Sequence, residues 1–276
     1  MSYVVRIRSS DSQCPAANGT STNHLLAALL AADLQCWPQD LEPVEMPADL
    51  VLHELGQVSH YVYFPTTAIV SLSILLGDGR STAIAVVGNE GVVGPSLYTG
   101  LDRSSCRAMV HSAGRGYRLT AHFIREAFQR NTAVRQLMLR YTHALMTQVS
   151  QTAVCNRHHS LDQQVCRLLL LCLDRSVGKE LPMTHDLIAR LLGVRREGVT
   201  GVAGAIQAIG LIQYSRGQIR VLDRGGLVRR ACECYAVVKK ECTRLLEWPV
   251  PAGRNAESPA IQDGEGTLRS IGPGRG

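Results

Sequence analysis

Leu191–Ile212 reads LLGVRREGVTGVAGAIQAIGLI, a run with apolar residues at helical spacing that nonetheless carries Gly193, Gly198, Gly201, Gly204 and Gly210. An interior glycine weakens a helix by about 1 kcal/mol relative to alanine. Something other than helix propensity therefore selects these positions. Upstream, Thr184 is a suitable N-cap and Asp186 favours the first-turn dipole, so a helix starts there and ends at Gly193. Ile188, Ala189 and Leu192 face inward, and the small Ala189 leaves room for a second helix. Gly193 suits a left-handed turn, with Val194 plugging the corner.

On a helical wheel of about 100° per residue, Val199, Val202, Ile206 and Ile209 form the buried side of the second helix. Glu197, Thr200, Gly201, Gly204 and Gln207 face outward, Gly198 lies beside the buried stripe, and Gly210 ends the helix. This pattern is that of a helix-turn-helix. Gly201 and Gly204 thin its outward face, which permits close backbone approach and gives up side-chain readout. Next, LIQYSRGQIRVLD places two alternating runs around Ser215-Arg216-Gly217, a hairpin with the character of a wing or of a lid on the core.

Charge follows the same segment. The 276-residue chain has a net charge of +6. Cys155–Leu246 holds fifteen Lys and Arg against eight Asp and Glu, whereas the remaining residues hold fourteen against fifteen. A solvated basic face would account for this, as would a nucleic-acid footprint in which clustered cations displace counterions. Nine irregularly spaced cysteines suit reduced thiols, and neither a secretory leader nor a membrane-length apolar run is evident. The expected location is cytoplasmic.

The sequence is expected to form an α+β chain. Residues 1–22 read as a flexible arm. Residues 23–118 open with a helix capped by Asn23, and Pro38, Pro43 and Pro47 end helical structure. The short runs YVYFP, AIVSLSILL, STAIAVV, CRAMVHS and GYRL follow, broken by GDG, GNEG and SAGRG. They predict a double-stranded β-roll, jelly-roll-like. Glu90 of GNEG is read as an exposed turn residue. Residues 119–157 predict a short helix and a long one. Val134, Met138, Tyr141, Leu145, Gln148, Thr152 and Cys155 form a four-three seam on the latter. This stripe fits a homodimer contact, or packing on its own domain. Residues 158–246 make the winged helix-turn-helix, and residues 247–276 read as a disordered tail.

Together these segments resemble the Crp/Fnr family of bacterial transcription regulators over about residues 23–246. The resemblance rests on VYFPTTAIVSL, AVVGNEGVVG, QTAVCNRHHSLDQQVCRLLLL, MTHDLIARLLGVRREGV, AIGLIQYSRGQIRVLDR and CECYAVVKKE. It implies a homodimer that binds double-stranded promoter DNA and meets RNA polymerase. The implied DNA-binding residues are Thr184, Arg195, Arg196, Glu197, Thr200 and Arg216. Arg196 would read a guanine edge and Glu197 a cytosine amino group, while Gly201 stands where many relatives carry arginine.

The sensory half departs from the family's cyclic-nucleotide binders. Those carry a Gly-Glu pair for the ribose hydroxyl and an Arg-Ser/Thr pair for the phosphate. Here Pro95 follows Gly94, and the basic pair is reduced to Arg103-Ser104 or Arg107-Ala108, so cyclic AMP is not the expected ligand. Gly94, Arg103, Ser104 and Arg107 remain the effector candidates. An iron–sulfur cluster would need cysteines near the N-terminus, where only Cys14 and Cys36 lie. Cys232 and Cys234, two apart on a helix, are expected to point to different faces, and His158-His159 reads as a surface pair, so no metal site is assigned. Redox sensing through a single thiol stays open. No nucleotide-binding loop or nucleophile–histidine–acid arrangement stands out, so an enzyme is the weakest expectation. The competing non-enzymatic function is a ligand-binding or protein-interaction module with a vestigial helix-turn-helix.

Overall fold

The computed structural model describes residues 23–33, 37, 39–176 and 178–246. The expected N-terminal arm and C-terminal tail, with Cys14 and Cys36, lie outside the described residues. Helix α1 (His24–Ala32) begins where Asn23 accepts a hydrogen bond from the Leu26 N–H, as its position before an apolar run predicts. Seven strands follow: β1 (Glu42–Met46), β2 (Val51–His53), β3 (Tyr61–Pro65), β4 (Ile69–Leu75), β5 (Ser81–Val87), β6 (Arg107–Ser112) and β7 (Gly114–Thr120).

They form two antiparallel sheets, ordered β1-β7-β3 and β2-β6-β4-β5. GDG closes the β4–β5 hairpin, with Leu75 opposite Ser81. SAGRG is not a turn between strands of one sheet. Most of it is β7 itself, and the chain crosses from one sheet to the other after Ser112. β1 is unexpected, because Pro43 lies within it. Its position at a sheet edge, paired only with β7, lets proline sit there without removing a central ladder bond. Val70, Leu72, Val87, Val93, Ala108 and Val110 pack the interior of the roll.

Helices α2 (Ala121–Arg130) and α3 (Thr132–His158) are separated by Asn131, whose side chain caps α3 by accepting from the Ala133 and Val134 N–H groups. The four-three stripe on α3 has a different occupant from the homodimer contact expected of it. Val134, Met138, Tyr141, Gln148, Thr152 and Cys155 are all buried within their own chain, and Leu145 is half-buried between two core clusters. Tyr141 donates to the Val92 carbonyl at 2.7 Å, and the Gln148 amide donates to the Val86 carbonyl at 3.1 Å. A heptad stripe is complementary to any flat partner. Here that partner is the roll, together with α1 and the C-terminal helix α8 (Glu233–Leu246).

Residues beyond α3 form α4 (Leu161–Leu173), β8 (Glu180–Leu181), α5 (His185–Leu192), α6 (Arg196–Ala208), β9 (Ile212–Ser215), β10 (Gln218–Val221), α7 (Arg224–Arg230) and α8. Every residue of α4 from Gln164 to Leu173 is buried, so this helix is the axis of the C-terminal core. The same core takes in Ile69, Ala83 and Val86 of the roll, joining the two halves through apolar contact.

A buried ion pair reinforces that junction. Arg175, just beyond α4, donates from Nε to Glu90 Oε1 at 2.7 Å and from Nη1 to the Leu171 carbonyl at 2.7 Å. Their side chains are only 4% and 13% exposed, so Glu90 is not the exposed turn residue expected from GNEG. The turn folds under α4, and at Gly88 an added Cβ would lie 2.7 Å from Arg175 Cβ. Burial works against the Arg175 charge, but Glu90 and its hydrogen bond outweigh it and hold the guanidinium above its ordinary pKa. Removing one member of such a pair strands the other charge. Glu90→Gln is expected to destabilise the chain by about 3–5 kcal/mol in urea denaturation. A loss below about 1 kcal/mol, the range of exposed pairs, would show the junction does not depend on it.

Candidate nucleic-acid interface

Thr184 caps α5 by accepting from the Leu187 N–H at 3.1 Å, and Gly193 ends the helix with φ +69°. Ile188, Ala189 and Leu192 are buried, and Val194 packs on the same core. The left-handed backbone at Gly193 turns the chain into α6 within three residues. There Val199, Ala203 and Ile206 are buried and Val202 is half-buried, whereas Arg196, Glu197, Thr200, Gly201, Gly204 and Gln207 are exposed. Ile209 departs from the expected buried stripe and is 55% exposed. It is the C-cap, with φ −92° and ψ 10°, so the helical wheel no longer governs its direction. Gly210 follows at φ +75°. Its N–H bonds the Gln207 carbonyl and that of Leu211 the Ile206 carbonyl, a Schellman closure.

The glycines of the opening stretch thus divide by cause. Gly193 and Gly210 supply left-handed turns, and Gly198 faces Leu161 of α4, where an added Cβ would come to 3.0 Å. At Gly201 and Gly204 an added Cβ would meet nothing within 4 Å. Internal packing does not demand glycine there.

β9 and β10 form the expected hairpin, joined by Arg216 (φ +49°) and Gly217 (φ +79°) in a type I′ turn. β8 adds a third strand beside β10. Asparagine or glycine favours the first central position of such a turn, so arginine there holds a strained backbone. The cations differ in their commitments. Arg190 pairs with Asp186 and Arg220 with Glu180, whereas Arg195, Arg196 and Arg216 make no ion pair among the described residues.

Two contributors are not visible in the sequence. His185 stacks on Tyr214 of the wing at 4.1 Å, and its Nδ1 lies 3.1 Å from Thr200 Oγ1 on α6. Burial, with the neighbouring Arg196 charge, lowers the His185 pKa. Gln207 is also committed, since its Oε1 accepts from the Tyr214 N–H at 2.7 Å. α5, α6 and the wing are therefore tied into one unit by residues that no local periodicity links.

The four effector candidates are engaged with their own neighbours. Gly94 (φ +96°) opens the 3-10 turn Pro95–Leu97 against the His53 ring. Arg103 donates to the Gly56 carbonyl at 2.7 Å, Arg107 pairs with Glu54 at 3.4 Å, and Ser104 donates to the Cys106 carbonyl at 2.6 Å.

The cysteine pair is a further correction. Cys232 and Cys234 converge with Cys155 and His159 rather than pointing apart. Cys232 precedes α8 and is not helical, so a spacing of two there does not carry the wheel's angular separation.

No helix among the described residues is long and apolar enough to cross a membrane. No curated protein matches the chain. Solved structures share its fold. FixK2 from Bradyrhizobium japonicum is 18% identical with a TM-score of 0.61, covering 70% of this chain and 98% of its own. TTHA1359, a Crp/Fnr-family transcriptional regulator from Thermus thermophilus, is 21% identical with a TM-score of 0.56, covering 69% and 98%. The c-di-GMP-responsive regulator CLP from Xanthomonas campestris is 16% identical with a TM-score of 0.51, covering 72% and 98%. Residues 163–230 match the family model of the Crp-like helix-turn-helix domain. The chain has the Crp-family fold, and the segment matched by the Crp-like helix-turn-helix domain runs from within α4 to the end of α7.

Proposed function

We propose that this protein is a transcription regulator that binds promoter DNA as a homodimer, with α6 in the major groove and the β9–β10 wing on the flanking backbone. One observation carries this reading: Arg195, Arg196 and Arg216, all exposed and outside any ion pair among the described residues, lie on the helix-turn-helix and its wing. Cations clustered in this way gain free energy from a polyanion by releasing its counterions. The strained arginine at the wing tip supports the same reading. Arg196 and Glu197, in the first turn of α6, would read base edges, while Arg195 and Arg216 hold phosphates, and Thr184 and Thr200 flank them. The sensory roll would answer a signal other than cyclic AMP, in the cytoplasm, and RNA polymerase would be the downstream partner.

Homodimerisation belongs to the other face of α3. Gln136, Leu139, His143, Met146, Ser150, Ala153 and Arg157 follow a four-three spacing and are all exposed. Leu139 is 50% and Met146 64% exposed, which is costly for a helix left in water. Met146→Lys is expected to give a folded monomer in sedimentation, and a persisting dimer would overturn this face as the contact.

DNA reading separates by residue. In binding-site selection, Arg196→Ala should flatten preference at one base per half-site, a loss of about 1–3 kcal/mol. Arg216→Ala should weaken all sequences alike and lower the salt slope by about one. Retention of the parental motif by Arg196→Ala would refute its role. A module with a vestigial helix-turn-helix would show no salt-dependent binding at all.

Gly201→Ala with Gly204→Ala should raise stability by about 1–2 kcal/mol, because alanine favours the helix and the added methyls meet open space. The same double variant should bind DNA more weakly if the thin face admits the duplex. Unchanged affinity alongside increased thermal stability would remove close approach as the reason for these glycines.

A further inference from the structure

Cys155 lies in the last turn of α3 and His159 is its C-cap, while Cys232 and Cys234 bracket the start of α8. Their ligand atoms, three Sγ and one imidazole nitrogen, all lie within 4.8 Å of one another. Cys155 Sγ is 3.5 Å from Cys232 Sγ, and Cys234 Sγ is 3.6 Å from His159 Nδ1. In a tetrahedral zinc site, Zn–S and Zn–N bonds of ordinary length put sulfurs about 3.8 Å apart and sulfur and nitrogen about 3.6 Å apart. We propose that these four residues form a Cys3His site for a thiolate-preferring divalent cation, zinc foremost, which clips the end of α3 to the start of α8.

Two independent features point to a ligand. The Nε2 of His159 lies 3.2 Å from the Glu233 carboxylate, leaving Nδ1 toward Cys234. A carboxylate on the far nitrogen of a ligating histidine fixes its tautomer and raises its basicity. Arg167 supplies the second. It is 4% exposed, and among the described residues its Nε has no partner and its one hydrogen bond goes to the Thr152 hydroxyl at 2.7 Å. A buried guanidinium without a carboxylate is costly, yet no acid pairs with it among the described residues. Its charge acts directly on Cys155 and Cys234. Three thiolates, one neutral imidazole and a divalent cation carry a net charge of −1, which Arg167 balances.

Without a cation the ligands are three free thiols and an imidazole. Binding then releases protons and forms metal–sulfur bonds with no change of oxidation state. The backbone carrying the α3 ligands is itself held, since Gln164 donates to the His159 carbonyl at 2.9 Å. Cys155 and Cys232 are 77 residues apart, and the whole helix-turn-helix and wing lie between them. The clip would tie the end of the long helix to the helix that follows the helix-turn-helix and wing.

The test uses the full chain, purified under reducing conditions from zinc-supplemented medium. Elemental analysis should find one zinc per chain. Replacement by cobalt should give the thiolate charge-transfer band and the visible bands of tetrahedral cobalt. Cys234→Ser should lower cobalt affinity at least tenfold, His159→Cys should retain it, and Cys106→Ser in the roll should leave it unchanged. Glu233→Gln, a substitution at an exposed position, should weaken binding by about 10–100-fold while leaving the metal-free protein's thermal unfolding unaltered. That variant keeps the test decisive should Cys234→Ser fail to fold. Absence of the thiolate band with one equivalent of cobalt would overturn the site. So would undiminished affinity in both Cys234→Ser and Glu233→Gln, or a Cys155–Cys232 disulfide in the reduced preparation.

Discussion

The ion pair between Glu90 and Arg175 is the constraint around which the two halves of this chain are arranged. It brings the turn after β5 under the end of α4, where neither charge can be left without the other. Neighbouring groups register its presence. Burial, aided by the Arg175 charge, lowers the His111 pKa to about 4, so that imidazole is neutral beside Cys172 at physiological pH. Burial and the Glu90 charge hold the Tyr141 phenol well above its ordinary pKa, and its O–H donates to the Val92 carbonyl two residues beyond Glu90. Roll, long helix and C-terminal core therefore meet at one turn, GNEG, whose composition gives no hint of burial.

The helix-turn-helix and wing add short-range devices to the shared apolar core. Caps at Thr184, turns at Gly193 and Gly210, and a two-residue wing turn set the unit's shape. Beyond the apolar core, the polar ties between its parts are few: His185 stacked on Tyr214 and bonded to Thr200, and Gln207 accepting from the wing's backbone. Such a unit presents cations on a surface that its own folding does not need. The exposed glycines of α6 are the clearest mark of this, since they lower helix stability and no internal contact requires them.

Legibility in the sequence follows the range of the forces involved. Helix starts at Asn23, Thr184 and Asn131 depend on side chains acting within three residues, and the hairpins depend on local backbone preference. These are readable. β1 is hidden because Pro43 is tolerated only at an edge, and edge position is a property of the assembled sheet. The α3 stripe has a readable period without a readable partner, since the roll and a second helix present equally apolar surfaces. Glu90 and the four-residue Cys/His cluster depend on partners 85 and 77 residues away, brought together only by the complete fold. Ile209 escapes the periodicity by a single residue, where the helix has already ended.

Helix α3 runs without interruption through 27 residues, about 40 Å at 1.5 Å per residue. Its first half is seated on the roll and its last turns abut the start of α8. A body of that length behaves as a lever with one end held by the roll. Tilting it by about 5° at one end sweeps the other through about 3.5 Å, about one full base-pair step along a duplex. Displacements too small to rearrange the packing of the roll would thus be magnified into changes of spacing on the scale at which DNA is read.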